Sequence, residues 1–216
     1  GNSVAFTSTV SGYKNSDTLG QSISNAAVVT TPASITSSGF YVADSHVLTA
    51  SSASSNLGYD ITYVTGTLAV TPRPIQLTAD NRTKVYGDTL SLGTTGFTKT
   101  SGTFASGELA TAVTLTSSNG YDVSTTRVVG TYNNEVAPTL ATGTGGFLAS
   151  NYDITYVAGT MAITPKALTI TSSDQLTTYG SPLNLGTTSF SSIGLINGNS
   201  ITGVTLKQNN NTTTPA

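Results

Sequence analysis

The chain contains an internal repeat with a period of 93 residues, and this feature constrains its fold more than any other. The segment YDITYVTGTLAVTP at 59–72 returns as YDITYVAGTMAITP at 152–165, and the same offset relates Tyr86-Gly87 to Tyr179-Gly180. A period of this length exceeds the roughly 20–50 residues of stacked solenoid repeats. Each copy is therefore expected to be a domain, and the chain a linear array of similar modules.

Threonine-proline pairs mark the expected module boundaries, because proline cannot donate to a strand ladder and suits a short, stiff connection. Module one (1–72) is a partial module that lacks its first strand, the stretch corresponding to 73–92. Module two (73–165) is complete, and module three (166–216) is the N-terminal half of a third copy. We expect the chain to be a fragment of a longer array; alternatively, neighbouring molecules supply the missing strands by strand exchange.

The local sequence pattern predicts β-structure throughout. Segments such as DITYV and TLAVT alternate β-branched or aromatic residues with small polar ones, which is typical of half-buried strands. Thr65-Gly66 and Ala158-Gly159 predict tight hairpin turns between such strands, and Asn119-Gly120 predicts another. The expected fold is all-β, with tandem small antiparallel β-sandwich modules of immunoglobulin-like type. A β-grasp-like module is the alternative.

Composition excludes several functional classes. Charged residues make up only 8% of the chain, with 8 basic and 10 acidic side chains, so no basic surface is available to neutralise nucleic-acid phosphates. There is no cysteine, which removes disulfides and thiolate metal sites and agrees with a bacterial extracellular protein. No apolar run reaches the roughly 18 residues of a transmembrane helix.

Three repeated segments resemble a known domain family. They are KALTITSSDQLTTYG (166–180), the middle element GLINGNSI (194–201) and NYDITYVAGTMAITP (151–165). In this order and spacing they are similar to MBG domains of the YGX type, which occur in tandem in large bacterial surface and secreted adhesins of filamentous-haemagglutinin-like architecture. Module two departs from the pattern at its middle element, where it has TSGTFASGELATAV (100–113). The resemblance implies an extracellular adhesin stalk and no catalytic residue.

Tyrosines are the main candidates for functional side chains. Residues repeated at fixed module positions are expected to be structural, packing the module ends and donating hydroxyl hydrogen bonds to the backbone. These positions are Tyr59, Tyr63, Tyr86, Gly87, Tyr152, Tyr156, Tyr179 and Gly180. Three tyrosines outside these pairs are the candidate ligand contacts: Tyr13, Tyr41 and Tyr132.

Neither a catalytic centre nor a metal site is indicated by the remaining polar residues. The single histidine, His46, has no nucleophile motif near it and is expected to lie in a surface loop. Asp60, Asp122 and Asp153 each follow a tyrosine. A calcium loop has several carboxylates close in sequence, and these three residues stand in no such run. We therefore expect them to bond backbone groups at strand entries. A calcium ligand at a module junction is the alternative, and no cofactor is predicted.

These observations predict a non-enzymatic structural and adhesive protein at the cell surface or secreted from it. Its repeats would space a binding tip from the cell and support cell adhesion or biofilm formation. Two alternatives remain: a carbohydrate- or matrix-binding module, and a subunit of an extracellular filament assembled by strand complementation. The expected partners are neighbouring modules or copies, and glycans or host matrix proteins, with no nucleic acid and no membrane span in this segment.

Overall fold

A computed structural model describes residues 5–208 and shows an almost entirely β-structured chain. This confirms the predicted all-β fold of small sheets, consistent with a sandwich. Two short helical turns occur in the described range, α1 (Leu19–Ser22) and a 3₁₀ turn (Ala149–Asn151). The strands are β1 (Ile23–Asn25), β2 (Val28–Thr30), β3 (Ser45–Ser51), β4 (Ser54–Ser55), β5 (Gly66–Ala69), β6 (Arg73–Ala79), β7 (Arg82–Val85), β8 (Phe97–Gly102), β9 (Leu109–Ser117), β10 (Gly130–Thr144), β11 (Tyr152–Val157), β12 (Gly159–Thr164), β13 (Thr169–Ser172) and β14 (Phe190–Ile193).

The chain divides into two compact units, each of which combines part of module two with the residues on one side of it. The first unit contains residues up to Asp80, with Gly93–Thr116 and Ala137–Ala158. The second contains Asn81–Leu92, Ser117–Val136 and the residues from Gly159 onward. The module boundaries at 72 and 165 remain a prediction from the sequence.

A three-stranded sheet in the first unit has the order β11-β6-β8. Its middle strand buries alternate residues, with Ile75, Leu77 and Ala79 at 3%, 0% and 3% exposure, as the two-residue period of a strand requires. Strand β6 is antiparallel to β8 and parallel to β11, with Tyr152 opposite Arg73 and Ile154 opposite Ile75.

The hairpin predicted at Ala158-Gly159 is wrong. Strand β11 pairs with β6, whereas β12 pairs in parallel with β7 and in antiparallel with the first part of β10. The two consecutive strands thus belong to different sheets, and the chain changes sheet at Ala158. In the second unit β12 buries Met161 and Ile163 at 0% and 2% exposure, on the same alternating pattern.

Asn119-Gly120 also does not connect two adjacent strands tightly. Gly120 has φ +69° and donates its N–H to the Ser117 carbonyl, which is a turn. The following YDVST segment forms no strand, and regular structure resumes at β10. The glycine signal predicted the turn but not the irregular segment after it.

Modules one and three contain smaller sheets. Module one has a sheet of order β2-β3-β5 and a separate pair β1-β4. In module three, β13 and β14 form an antiparallel pair, with Thr169 opposite Ile193. Among the described residues no helix is long and apolar enough to cross a membrane.

Candidate functional site

A buried hydroxyl-carboxylate pair, formed by Tyr152 and Glu108, is the centre of the first site. The Tyr152 hydroxyl donates to Glu108 Oε2 at 2.6 Å and accepts from the Ala105 N–H at 3.0 Å. Burial, and then the bond to Glu108, raise the pKa of Tyr152, so its hydroxyl remains a donor at neutral pH. The ring lies 5.0 Å from the ring of Phe147 in a stacked arrangement.

The same arrangement recurs in module one around Tyr59, which is the repeat partner of Tyr152. The Tyr59 hydroxyl donates to Asp17 Oδ2 at 2.7 Å and accepts from the Lys14 N–H at 2.9 Å. The bond to Asp17 raises the pKa of Tyr59. Two of the repeated tyrosines therefore fasten a loop of their own module through a carboxylate and a backbone N–H.

The other repeated tyrosines differ in their contacts with the backbone. The Tyr63 hydroxyl accepts from the Ala53 N–H at 2.9 Å, and the Tyr156 hydroxyl accepts from the Ala141 N–H at 2.9 Å. Tyr86 is half-buried and its N–H bonds the Thr164 carbonyl, whereas Tyr179 is fully exposed. Gly87 and Gly180 both adopt positive φ, +91° and +82°.

The Tyr152-Glu108 pair also fastens module two to module one. Glu108 Oε1 accepts from the Ser38 hydroxyl at 2.6 Å, and Asn151 Oδ1 accepts from the Ala43 N–H at 2.9 Å. Gly146 packs closely on the same loop, since a Cβ built there would lie 2.9 Å from Ser38 Oγ. We call this set of contacts joint one. Sequence reasoning missed Glu108. A signal was present, because an acidic residue comes before each of the two repeated tyrosines in its own module: Asp17 before Tyr59 and Glu108 before Tyr152.

Joint two, in the second unit, connects module three to module two. Asn197 Nδ2 donates to the Thr125 carbonyl at 2.8 Å, and Lys166 forms a 3.3 Å ion pair with Asp88. Ile196 occupies the space beside Gly87, because a Cβ at that position would lie 1.8 Å from Ile196 Cδ1. The glycine of the YG motif thus serves both its turn and this packing contact.

The two joints use corresponding parts of the repeat. Glu108 lies in the middle element of module two (100–113), and Asn197 lies in the middle element of module three (194–201). In each joint this element contacts the preceding module in the chain. A contact that recurs at equivalent positions is the way a repeat array builds successive interfaces of the same kind.

The three candidate ligand tyrosines lie in different surroundings. Tyr41 is half-buried and lines a cleft of about 230 Å³ at joint one, together with Phe40, Arg73 and Asn151. Tyr13 is half-buried and lines a wider groove of about 650 Å³ in module one. The structure does not bring them together at one site.

Tyr132 is engaged within its own module. Its ring lies 4.8 Å from the ring of Tyr121, and the guanidinium carbon of Arg127 lies 4.5 Å from its centroid. Its hydroxyl donates to the Val128 carbonyl at 2.7 Å. A ring packed in this way presents little free face for stacking on a sugar.

His46 does not lie in a surface loop, so that prediction is wrong. It belongs to β3 opposite Leu68, is 9% exposed, and its Nε2 lies 2.8 Å from the Val42 carbonyl oxygen. Asp153 is an exposed residue of β11, and the backbone carbonyl of Asp122 receives Lys84 Nζ at 3.3 Å. Within residues 5–208 no group of three or more His, Cys, Asp or Glu is placed to hold a metal ion.

The described residues form an almost entirely β-structured chain. Residues 75–162 match the family model described as MBG domain (YGX type). Residues 75–162 are therefore similar to an MBG domain of the YGX type, which confirms for this segment the resemblance seen in the sequence. Comparison with curated proteins and with solved structures gave no match.

Proposed function

We propose that the chain is a spacer segment of an extracellular bacterial adhesin, in which successive MBG-type modules hold a binding tip away from the cell surface. The MBG family suggests an extracellular repeat module. Low charge reduces sensitivity to ionic strength, and stability without cysteine suits a secreted array. The role is mechanical, it supports cell adhesion or biofilm formation, and it requires no catalytic group.

Joint one is the observation that carries this proposal. Its hydrogen bonds use a buried carboxylate, a buried tyrosine and an asparagine rather than exposed ion pairs. Exposed pairs contribute only about 0–1 kcal/mol and weaken with salt, whereas hydrogen bonds to a buried charge are stronger. A joint of this kind resists bending more than a flexible linker does.

We expect the length of the protein to increase in equal steps when the 216-residue chain is fused in one, two and three tandem copies. Small-angle X-ray scattering measures the maximum dimension of each. Stiff joints keep the increment constant, whereas a flexible chain grows roughly as the square root of its length. Equal increments at low and high salt support the spacer, and falling increments contradict it. Antibody labelling of intact cells tests the extracellular location separately.

The second candidate function is binding of a carbohydrate or matrix protein at joint one. The cleft there is lined by the aromatic residues Phe40 and Tyr41 and by the polar residues Arg73 and Asn151. Aromatic faces with a few polar groups are typical of small-ligand sites.

A binding screen against immobilised polysaccharides, mucin and matrix proteins tests this second function. We expect Tyr41→Ala to weaken saturable binding at least tenfold, because it removes the aromatic wall of the cleft. Tyr132→Ala is the control, since Tyr132 packs on Arg127 and Tyr121. If the folded chain binds none of these surfaces, or if both variants bind equally well, the cleft is not an adhesive site.

A further inference from the structure

The sequence contains two Asn-Gly pairs, Asn119-Gly120 and Asn197-Gly198. Such a pair is prone to spontaneous deamidation, because glycine has no Cβ to hinder attack of its backbone nitrogen on the preceding side-chain amide. One pair lies inside module two and the other lies in joint two. The hydrogen bonds around them indicate that the first is protected and that the second reacts.

Asn119-Gly120 is held at both of the groups that would react. The Gly120 N–H donates to the Ser117 carbonyl at 3.2 Å. The side-chain amide of Asn119 donates from Nδ2 to Glu135 Oε2 at 2.7 Å, and its backbone N–H donates to Oε1 of the same carboxylate at 3.0 Å. Because the attacking nitrogen and the leaving amide are both fixed, we expect this pair to persist in the folded protein.

Asn197-Gly198 forms the tip of a tight turn in module three. Asn197 has φ +55° and Gly198 has φ +71°, and the Asn199 N–H closes the turn on the Ile196 carbonyl at 3.0 Å. Two successive positive φ values are typical of a type I′ turn, in which the fourth residue donates the closing bond. Gly198 is the third residue of its turn, so the turn does not use its N–H. Gly120, in contrast, donates the closing bond of its turn.

The Asn197 side chain also holds module three against module two. Its Nδ2 donates to the Thr125 carbonyl at 2.8 Å, and the neighbouring Ile196 packs on module two. The other polar contact of joint two joins Lys166 to Asp88, and both side chains are partly exposed. Exposed ion pairs contribute little to stability. A chemical change at Asn197 therefore acts on the main polar contact of joint two.

We propose that Asn197 is a site of spontaneous deamidation whose products release module three from module two. The Gly198 nitrogen bonds to Asn197 Cγ, the bond from Cγ to Nδ2 breaks, and ammonia leaves with the proton of the Gly198 N–H. Water then opens the resulting succinimide at one of its two carbonyl carbons. Opening at Cγ gives aspartate, and opening at the backbone carbonyl gives isoaspartate, in which the main chain runs through Cγ.

Either product disrupts joint two. An amide nitrogen donates hydrogen bonds whereas a carboxylate only accepts them, so an anionic oxygen would replace the donor that faces the Thr125 carbonyl. Isoaspartate also lengthens the backbone at the tip of the turn and shifts Ile196. In joint one the corresponding asparagine, Asn151, is followed by tyrosine, whose Cβ hinders the attack. Joint two would thus loosen with time while joint one persists, which goes beyond the spacer function because a spacer requires no chemical change.

Peptide mapping by mass spectrometry tests the reaction. The 216-residue chain is incubated at physiological temperature in mildly alkaline buffer, which favours the amide anion that attacks. We expect aspartate and isoaspartate to form at position 197 at least tenfold faster than at position 119. The chain unfolded in denaturant is the control, and there both pairs should react at similar rates. Equal rates in the folded chain, or a faster reaction at Asn119, would overturn the proposal.

A distance measurement tests the structural consequence without incubation, because Asn197→Asp supplies one product directly. Spin labels at Thr131→Cys in β10 and Ser191→Cys in β14, both exposed, would report the distance across joint two by double electron-electron resonance. We expect a narrow distribution in the freshly prepared chain and a broad one with Asn197→Asp. Asn199→Asp is the matched control, since it places the same charge at an exposed position outside the contact, and its distribution should stay narrow.

A narrow distribution with Asn197→Asp would show that the product does not open joint two. A new ion pair with Lys84 would have this effect, because its Nζ already donates to the Ser124 carbonyl beside Thr125 at 2.6 Å. That result would overturn the proposal. Neither test measures tandem length in freshly prepared protein, so failure here is distinguishable from failure of the spacer function.

Discussion

Glu135→Ala is expected to lower the free energy of unfolding by about 3–5 kcal/mol, the range for breaking a buried charged network. Glu135 is 0% exposed. Its Oε1 accepts from the Ser117 hydroxyl and from the Asn119 N–H, and its Oε2 accepts from Asn119 Nδ2 at 2.7 Å. Alanine would leave the half-buried Ser117 hydroxyl and the two Asn119 donors without this acceptor, and a polar group that loses its partner is costly. Chemical denaturation followed by far-ultraviolet circular dichroism measures the change.

A glutamine variant separates the charge of Glu135 from its acceptor role, and an alanine variant at an exposed position is its control. Glu135→Gln retains one acceptor oxygen and is expected to cost less, about 1–3 kcal/mol. Asn133→Ala, at an exposed position of β10, is the control and should change stability by no more than about 0.5 kcal/mol. An alanine variant at 135 that is as stable as this control would show that the network contributes little.

The acid sensitivity of the second unit should depend on the same residue. Burial alone would raise the pKa of Glu135, but the hydrogen bonds from Ser117, Asn119 and Tyr121 outweigh it and hold the pKa below its ordinary value of 4.5. The unfolded state therefore takes up a proton first as pH falls. The contribution of Glu135 is present at neutral pH and is lost as pH falls from about 4.5 through the folded-state pKa.

Tyr152→Ala is expected to lower the free energy of unfolding of the first unit by about 3–5 kcal/mol, as for other buried aromatic residues. The ring is 6% exposed and stacks on Phe147, with the edge of Phe104 at a centroid distance of 5.7 Å. The variant would remove this packing and the hydroxyl bond to Glu108. Denaturation by urea measures the loss.

Tyr152→Phe isolates the hydroxyl contribution, expected at about 1–3 kcal/mol because Glu108 loses one of its two donors. Tyr59→Ala is the matched control at the corresponding position of module one. Tyr59 is half-buried, so its replacement should cost less than that of Tyr152. Equal losses at both positions would contradict the structural difference between the two sites.

The sequence was informative where local pattern determines structure. The alternating residues predicted an all-β fold, and the resemblance of the repeated segments to MBG domains agrees with the family match over residues 75–162. The structural role of the repeated tyrosines stays a prediction. Sheet assignment could not be read in the same way. The glycine at Ala158-Gly159 signals a change of direction, but only the packing of the core determines that β12 joins β7 rather than β11.

The buried polar residues could not be predicted, because their role depends on contacts distant in sequence. Glu135 stands in a strand that is otherwise rich in Thr and Asn. The groups that donate hydrogen bonds to it belong to Ser117 and Asn119, which lie outside this strand. Lys84 is only 5% exposed, and its ammonium donates hydrogen bonds to the backbone carbonyls of Asp122 and Ser124. His46 was expected in a surface loop because no nucleophile motif lies near it, but its pairing in β3 depends on contacts with β5.

The rigidity of joint one is the central claim of the spacer function, and a distance measurement across it tests this claim most directly. Spin labels at Thr67→Cys in β5 and Thr155→Cys in β11, both exposed, would report one distance by double electron-electron resonance. We expect a single narrow distance distribution. It should broaden with Glu108→Ala, because this change removes the acceptor of Ser38 and Tyr152. It should stay narrow with Asp153→Ala, which changes an exposed residue. A broad distance distribution in the spin-labelled chain that carries neither alanine substitution would contradict the spacer function.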